Sequence, residues 1–256
     1  MKSRWTELFD QAEHFLPGYL AATAGLSHEN KGIRRSELFF FYALVAPKNP
    51  PRIVESGRAR AQSTLVLSRL FAQSAIVSLE SDVASPDVAV AAERLRGCEN
   101  VDCRFGDSVL LLPEIVGPGD VVLIDGPKDF RALKLALRLL DRGKASAVFV
   151  HDLWLGSPAR GFVDRHLPSA LLSDEPQWVQ RYAGLDSRKP APPAATPETL
   201  RAYGATLGCL EAGMENYRSR LWQCSAAQGA ERVRATARKL FRRPPSVRPK
   251  DFEPCS

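Results

Sequence analysis

The sequence predicts an α/β protein built on a Rossmann-like, doubly wound, mostly parallel sheet. Two observations predict this class. Five short apolar segments alternate with helical segments between residues 52 and 152, and each of the five ends in an ionisable residue. Continuously apolar strands separated by helices are typical of a parallel sheet covered on both faces. A chain of 256 residues is long enough for one large domain of this kind.

The predicted elements follow one another in a regular order. An amphipathic first helix with the stripe Trp5, Leu8, Phe9, Ala12 and Leu16 precedes a second helix, "SELFFFYALVA", which "PKNPP" stops. The five strands are "RIVES", "AIVSLE", "VDCRFGD", "DVVLIDG" and "SAVFVHD". The helices after the first four are "AQSTLVLSRLFAQ", "SPDVAVAAERLRG", a short one around "SVLLLPEIV", and "FRALKLALRLLDRG".

The last third of the chain is predicted to complete a seven-stranded sheet. The segments "QWVQRYAG" and "RLWQC" are the two additional strands. Between them lie a proline-rich connector at 186–198 and a helix, "ETLRAYGATLGCLEAGMENY".

The composition predicts an ordinary globular protein with a cytoplasmic location. Hydrophobic residues make up 45% of the chain and charged residues 25%. No apolar run approaches the roughly 20 residues that a membrane helix needs, and the first 20 residues do not have the pattern of a signal peptide. The five cysteines form no CxxC pair, so we expect reduced thiols and neither a disulfide scaffold nor a zinc scaffold.

The net charge of +6 is concentrated near the C-terminus. Residues 231–251 hold eight basic and two acidic residues, so the rest of the chain is neutral overall. We expect 231–256 to be a basic, flexible tail in solvent. Contact of this tail with RNA, an anionic glycan or a membrane surface is the alternative.

The ionisable residues at the strand ends predict a ligand site. In open α/β sheets, ligands bind beyond the carboxyl ends of the strands, where the strand order reverses. The five ends carry Glu55, Glu80, Asp107, Asp125 and the pair His151–Asp152. Capping of the following helices accounts for two or three of these residues, and we expect the others to meet a ligand.

The turn after the first strand, "RIVESGRARAQST", indicates which ligand class to expect. A dinucleotide site needs G-x-G-x-x-G, but only Gly57 is present, so a nicotinamide-dependent oxidoreductase is disfavoured. A carboxylate at Glu55 repels a phosphate and suits a cationic ligand. Gly57 is the position where we expect close backbone approach.

At these same segments the chain resembles the class I S-adenosylmethionine-dependent methyltransferases. "VESGRARAQST" resembles their first motif, "IVSLESD" the second, "RFGDSVLLLPEI" the segment near the adenine, and "DVVLIDGPKD" the fourth-strand motif. The resemblance covers about residues 30–185 and implies the class I methyltransferase fold, with Glu80 on the ribose hydroxyls and Asp107 near the adenine. The cofactor-binding residues that it implies are Glu55, Ser56, Gly57, Ser63, Glu80, Ser81, Gly106, Asp107 and Asp125.

The first motif departs from the family at two alanines. Ala59 and Ala61 stand where many members have glycine. Alanine suits these positions provided that neither residue needs a positive φ.

Within this superfamily the chain looks closest to the branch that contains catechol O-methyltransferase. Metal-dependent members hold a divalent cation with an Asp after strand four and an Asp-Asn pair after strand five. Asp125 matches the first position, and His151–Asp152 replaces the pair, so Asp125 and Asp152 are the implied ligands of Mg²⁺ or another divalent cation. His151 is predicted as general base or metal ligand, with Asp152 and Lys128 as further catalytic residues. A hydrogen bond within the "HDLW" turn is the structural alternative for His151.

The resemblance and the charge distribution together predict three regions, and the resemblance implies one activity. Residues 1–50 are N-terminal helices on the substrate side, 51–230 the S-adenosylmethionine-binding domain, and 231–256 the basic tail. The implied reaction is O-methylation of a small molecule or a glycan hydroxyl. The alternatives are a non-catalytic S-adenosylmethionine-binding module and an RNA methyltransferase that uses the tail.

The remaining aromatic and histidine side chains have structural interpretations. Most of the cluster Phe39, Phe40, Phe41 and Tyr42 is expected in the core, with one or two members lining the acceptor pocket. Trp154 is the better pocket candidate. Three other histidines are predicted to be surface or packing residues: His14, His28 and His166.

Overall fold

A computed structural model describes residues 4–27, 32–186 and 206–241, with side chains through residue 237. Its seven strands are β1 (Arg52–Ser56), β2 (Ala75–Glu80), β3 (Val101–Phe105), β4 (Asp120–Ile124), β5 (Ala145–Val150), β6 (Leu171–Leu172) and β7 (Gly208–Glu211). The helices are α1 (Arg4–Thr23), α2 (Arg35–Val45), α3 (Gln62–Leu70), α4 (Asp87–Arg94), α5 (Ser108–Ile115), α6 (Asp129–Asp141), α7 (Pro158–His166), α8 (Pro176–Tyr182) and α9 (Tyr217–Phe241). Two short 3₁₀ turns cover Ala46–Lys48 and Ala183–Leu185.

All seven strands belong to one sheet in the order β3-β2-β1-β4-β5-β7-β6. The first five strands pair in parallel, whereas β7 runs antiparallel to both β5 and β6. The strand order reverses between β1 and β4, which places the expected ligand crevice beyond their carboxyl ends. The predicted Rossmann-like, doubly wound, mostly parallel sheet of seven strands is therefore confirmed.

Alternate strand residues supply the two faces of the sheet. In β1, Ile53 belongs to the core that α1, α2 and α3 cover, and Val54 to the core that α6 and α7 cover. The same alternation continues in β4 and β5, as the period of two in a strand requires. Helix α2 is enclosed on the first face: Phe39, Phe40 and Phe41 are all fully buried. The prediction that most of this aromatic cluster is core is confirmed.

The two last strands lie elsewhere than predicted. "QWVQRYAG" forms α8 and the 3₁₀ turn that follows it, since Trp178, Val179 and Tyr182 have helical spacing and are all buried. "RLWQC" belongs to α9, where Leu221 and Cys224 face the core and Trp222 faces solvent. The strands that complete the sheet are β6 and β7, and β7 interrupts the segment predicted as a helix before "RLWQC".

The predicted boundary of the basic tail falls inside a helix. Helix α9 continues through Phe241, so residues 231–241 are helical rather than a flexible tail. Residues 242–256 lie outside the described part of the chain, as do His28 and most of the proline-rich connector. None of the described helices is both long and apolar enough to cross a membrane.

Candidate functional site

Two adjoining cavities open at the carboxyl ends of β1, β2 and β4. The larger, of about 600 Å³, and the smaller, of about 410 Å³, share Gly57, Ala59 and Asp125 in their linings. Both volumes are in the range of small-molecule sites. The predicted site residues in the larger cavity are Gly57, Glu80, Ser81, Gly106, Asp107, Asp125 and Lys128, and Ser63 lines the smaller one. The fold thus brings most of the predicted cofactor residues to one crevice.

Gly57 is the point where the β1 turn meets the β4 turn. Its φ is +87°, and a Cβ there would lie 2.7 Å from the Gly126 backbone nitrogen. The Gly57 N–H donates to the Leu79 carbonyl at 3.0 Å, which ties this turn to β2 as well. The expected close backbone approach at Gly57 is confirmed, and a side chain there would separate the two turns.

The two alanines of the first motif do adopt positive φ. Ala59 has φ +42° and Ala61 has φ +59°. The condition under which alanine suits these positions is therefore not met, and each residue carries a left-handed cost of about 1–2 kcal/mol relative to ordinary helical backbone. At Ala59 the conformation has a visible compensation, because its N–H donates to Glu80 Oε2 at 2.8 Å.

Arg58, which the sequence reasoning missed, anchors the same loop from below. Its side chain is buried and donates to the carbonyls of Ser78 at 2.7 Å and Arg104 at 3.3 Å. The guanidinium also lies over the Phe105 ring, 4.9 Å from its centroid. This anchor fixes the loop where a glycine-rich turn would be free. The only signal in the sequence is an arginine in the position of a small residue.

Glu55 is fully buried and lines neither cavity. Its carboxylate accepts hydrogen bonds from the hydroxyls of Ser63, Thr64 and Ser78, the last at 2.7 Å. Burial raises the pKa of Glu55, and the three hydroxyls oppose that rise. The interpretation that this carboxylate meets a cationic ligand directly is corrected: Glu55 orients Ser63, and Ser63 faces the smaller cavity.

Ser56 is also fully buried and lines neither cavity. Its hydroxyl has no hydrogen-bond partner among the described residues. The implied direct contact of Ser56 with a cofactor is therefore not supported by its position.

Glu80 and Asp107 use their carboxylates differently. Glu80 Oε1 accepts from the backbone N–H groups of Ser81 at 2.8 Å and Asp82 at 3.1 Å, so the side chain is held at the cavity edge. Asp107 is the N-cap of α5 and accepts from the Val109 N–H at 2.8 Å. Within the described chain it is the only one of the five strand-end acids with a capping bond to the next helix. Capping thus explains one acid, fewer than expected.

A network of ionisable side chains connects α2 with the ends of β4 and β5. Its members are Glu37, His151, Asp125, Lys128 and Asp152. His151 is buried between Asp125 Oδ1, 2.8 Å from its Nδ1, and Glu37 Oε2, 3.4 Å from its Nε2. Lys128 Nζ bridges Asp125 Oδ1 at 2.5 Å and Asp152 Oδ2 at 2.6 Å. Asp152 stands at φ +62°, a left-handed conformation that turns its side chain back toward Lys128.

Glu37 is the one member of this network that the sequence analysis did not predict. It is 1% exposed, and its Oε1 has no hydrogen-bond partner within the described residues. Its Oε2 also accepts from the Arg34 N–H at 3.0 Å, which caps α2. The available signal is a single carboxylate inside the otherwise apolar "ELFFFYALV" segment.

The pKa values of His151 and Asp125 in this network are set by the charged side chains that they contact. Burial alone would lower the pKa of His151, but the carboxylates of Glu37 and Asp125 raise it to about 10. Burial would raise the pKa of Asp125, but His151 and Lys128 lower it to about 2. This pKa favours the imidazolium form of His151 at neutral pH, and an imidazolium has no free nitrogen to accept a proton, so the predicted role of His151 as general base is disfavoured. Its main partners also lie outside the "HDLW" turn.

The ligand atoms of Asp125, His151 and Asp152 lie within 4.8 Å of one another, as a metal site requires. The oxygens of Asp125 and Asp152 suit Mg²⁺ and the imidazole nitrogen of His151 does not, whereas several other divalent cations accept an imidazole ligand. Both carboxylates already share the ammonium of Lys128, and both nitrogens of His151 face carboxylates. A cation would have to displace Lys128 and deprotonate His151. Lys128 therefore occupies the position of the predicted cation between Asp125 and Asp152, and a divalent cation is not shown there.

Several aromatic and histidine predictions can also be compared with the structure. Trp154 is 51% exposed and lines neither cavity, so the structure does not support it as a pocket residue. The buried phenylalanines of α2 line neither cavity either. His14 and His166 each pack against a phenylalanine ring, as predicted.

No protein-family model and no curated protein matches this chain. Among solved structures it is similar to the O-methyltransferase TomG from Streptomyces achromogenes in complex with SAM (16% identity, 83% of this chain and 92% of that one, TM-score 0.42). It is also similar to an O-methyltransferase from Bacillus cereus in complex with SAH (15% identity, 79% of this chain and 90% of that one, TM-score 0.43). A third similar structure is cofactor-bound Rv0187 from MTB (20% identity, 77% of this chain and 90% of that one, TM-score 0.43).

Proposed function

We propose that this protein is an S-adenosylmethionine-dependent methyltransferase that methylates an oxygen of a small molecule. The observation that carries the proposal is the pair of joined cavities at the strand-order reversal, lined by Glu80, Asp107 and Asp125. Three carboxylates in one crevice disfavour a phosphate-bearing cofactor. They suit a ligand that has hydroxyl donors at one end and cationic groups at the other.

The two halves of S-adenosylmethionine match the two cavities in chemistry. Glu80, held by backbone N–H groups, is oriented to accept hydrogen bonds from ribose hydroxyls. Ser63 and Asp125 line the smaller cavity, where a hydroxyl and a carboxylate suit an amino-acid tail. Gly57 lies between the two and allows the ligand to cross close to the backbone.

For methyl transfer, the protein must orient the acceptor and stabilise the negative charge on the acceptor oxygen. The cofactor supplies a methyl group that its sulfonium makes electrophilic. Lys128, half-exposed at the cavity rim, offers its ammonium to an acceptor oxygen that carries negative charge. Because neighbouring carboxylates raise the pKa of Lys128, and His151 is also protonated, these two side chains do not remove the acceptor's proton. We therefore propose an acceptor with an acidic hydroxyl or a carboxylate, which reaches the site already ionised.

Calorimetric titration with S-adenosylmethionine and S-adenosylhomocysteine tests the proposal. We expect Glu80→Gln to weaken binding at least about tenfold, because it removes a charged acceptor for ribose hydroxyls. Glu114→Gln, at an exposed position on α5, is the matched control and should bind like wild type. Absence of binding in the wild-type protein, or unchanged binding in the Glu80 variant, contradicts the assignment.

Turnover in the presence of a chelator tests the conclusion about the metal. Once an acceptor is found among acidic hydroxyls and carboxylates, we expect methyl transfer to persist in EDTA, because Lys128 supplies the positive charge beside Asp125 and Asp152. Loss of turnover in EDTA that Mg²⁺ restores would overturn this part of the proposal.

A further inference from the structure

The outer face of α9 is an exposed surface that the proposed site does not use. The inner face packs against α6 and α7, with Tyr217 and Cys224 buried in that core. Beyond the first three turns the helix leaves the body of the protein. Residues 229–236 are exposed except for a half-buried Glu231. A helix that continues past its packing partners needs another reason for its length.

An apolar stripe follows this outer face. Trp222 and Val233 are 76% and 70% exposed, and they are eleven residues apart, about three helical turns, so they lie on one line along the helix. Cys224 is two residues from Trp222 and hence on about the opposite side of the axis. Exposed Ala226 lies between the two large side chains on the same stripe.

Basic residues flank the stripe. Arg218, Arg232 and Arg234 are exposed, and Glu231 pairs with Arg234 at 3.9 Å. The sequence from 238 to 250 adds six more basic residues and no acidic one. The whole net charge of the protein is thus concentrated at this helix and the segment that follows it.

We propose that the outer face of α9 binds an anionic lipid surface. A helix with tryptophan and aliphatic side chains on one stripe, and arginines beside it, lies in a membrane interface with the apolar side chains inserted and the guanidinium groups on the headgroups. A second copy of the chain fits poorly, because it would bring two equally basic helices together. A nucleic acid would engage the arginines but gives no role to exposed Trp222 and Val233.

Vesicle sedimentation with the full-length protein tests this binding. We expect the protein to sediment with vesicles of phosphatidylcholine mixed with phosphatidylglycerol, and not with phosphatidylcholine alone. R232E/R234E should weaken binding at least about tenfold, since each basic residue near a charged surface contributes on the order of 1 kcal/mol. The control R69E/R96E makes the same change of charge at exposed positions on α3 and after α4, which are not among the helices packed against α9, and should bind like wild type.

Trp222→Ala separates insertion from simple charge attraction. This variant keeps every charge, and we expect weaker vesicle binding together with loss of the blue shift of tryptophan emission on anionic vesicles. Unchanged thermal unfolding of all variants shows that the fold is intact, and this control does not depend on the proposed enzymatic function.

Three outcomes would overturn the proposal. The first is no difference between neutral and anionic vesicles. The second is equal binding by R232E/R234E and its control. The third is a preference for single-stranded RNA or for self-association, measured by anisotropy and light scattering, with no vesicle binding.

Discussion

Glu55 and Asp125 end or follow neighbouring strands at the same edge of the sheet, yet the protein treats their charges in opposite ways. Glu55 is enclosed by three neutral hydroxyls, and burial raises its pKa. Asp125 is held between two cations, and its pKa falls to about 2. The comparison teaches that an acid at a strand end can either stabilise the turn or contribute charge to the site. Neutral hydroxyl partners give the first role and cationic partners give the second.

The largest expected effect is the loss of stability when the acid that is bonded by hydroxyls, Glu55, is replaced. Glu55→Ala removes the acceptor of Ser63, Thr64 and Ser78, all of them buried. We expect a loss of about 3 kcal/mol or more in unfolding free energy, because buried hydroxyls are left without their shared partner.

Chemical denaturation measures this loss. Glu55→Gln is the control, since it keeps an acceptor oxygen and most of the volume, and it should cost clearly less. Equal and small losses for the two variants would show that the hydroxyl network does not stabilise the turn.

At Asp125, the pH dependence of the unfolding free energy tests whether the neighbouring His151 carries a positive charge. His151 has a pKa near 6.5 when unfolded and about 10 when folded. Its contribution to stability is therefore complete below about pH 6.5 and is lost as the pH rises toward about 10. Glu37→Gln removes the carboxylate that faces His151 Nε2 and should lower the folded pKa of His151, so that stability falls at a lower pH. Each unit of that shift corresponds to about 1.4 kcal/mol.

Titration of the imidazole signals by NMR checks this prediction. His166 on α7 serves as the internal reference in the same spectra, because it lies outside the Glu37 cluster. A His151 signal that titrates identically in wild type and Glu37→Gln would show that Glu37 does not hold the proton.

The smallest expected effect concerns the backbone between the two regions. Ala61→Gly replaces a left-handed alanine with the residue that adopts this conformation most readily, and should stabilise the protein by about 0.5–1 kcal/mol. Ala89→Gly, at an exposed position within α4, is the control and should destabilise by a similar amount. Thermal unfolding distinguishes the two signs, and destabilisation by Ala61→Gly would contradict the assigned left-handed cost.

The sequence predicted the five parallel strands and the ligand edge because both depend on local patterns. β-branched apolar runs mark buried strands wherever they occur, and β1 and β2 have the predicted bounds. The last two strands were placed in the wrong segments. β6 has only two residues, and β7 follows a stretch whose composition favours a helix, so their pairing with β5 decides the structure rather than propensity.

The candidate site could be predicted only as a set of strand ends. Which charge meets which depends on contacts between distant segments: Glu37 is 114 residues from His151 in sequence. The carboxylate of Glu55 likewise accepts from Ser78 of the next strand, and the N–H of left-handed Ala59 donates to Glu80, also from that strand. Such partnerships follow from the packing of the sheet, and the residue pattern along the chain does not encode them.

The most direct test of the central claim is an amide NMR titration of the wild-type protein with S-adenosylhomocysteine. We expect saturable shifts at Gly57, Ala59, Ser81 and Gly106, which surround the two cavities, and no change at the distant Gly97 and Gly143. Shifts confined to the distant glycines, or no shift at any concentration, would contradict the claim that this edge of the sheet binds S-adenosylmethionine.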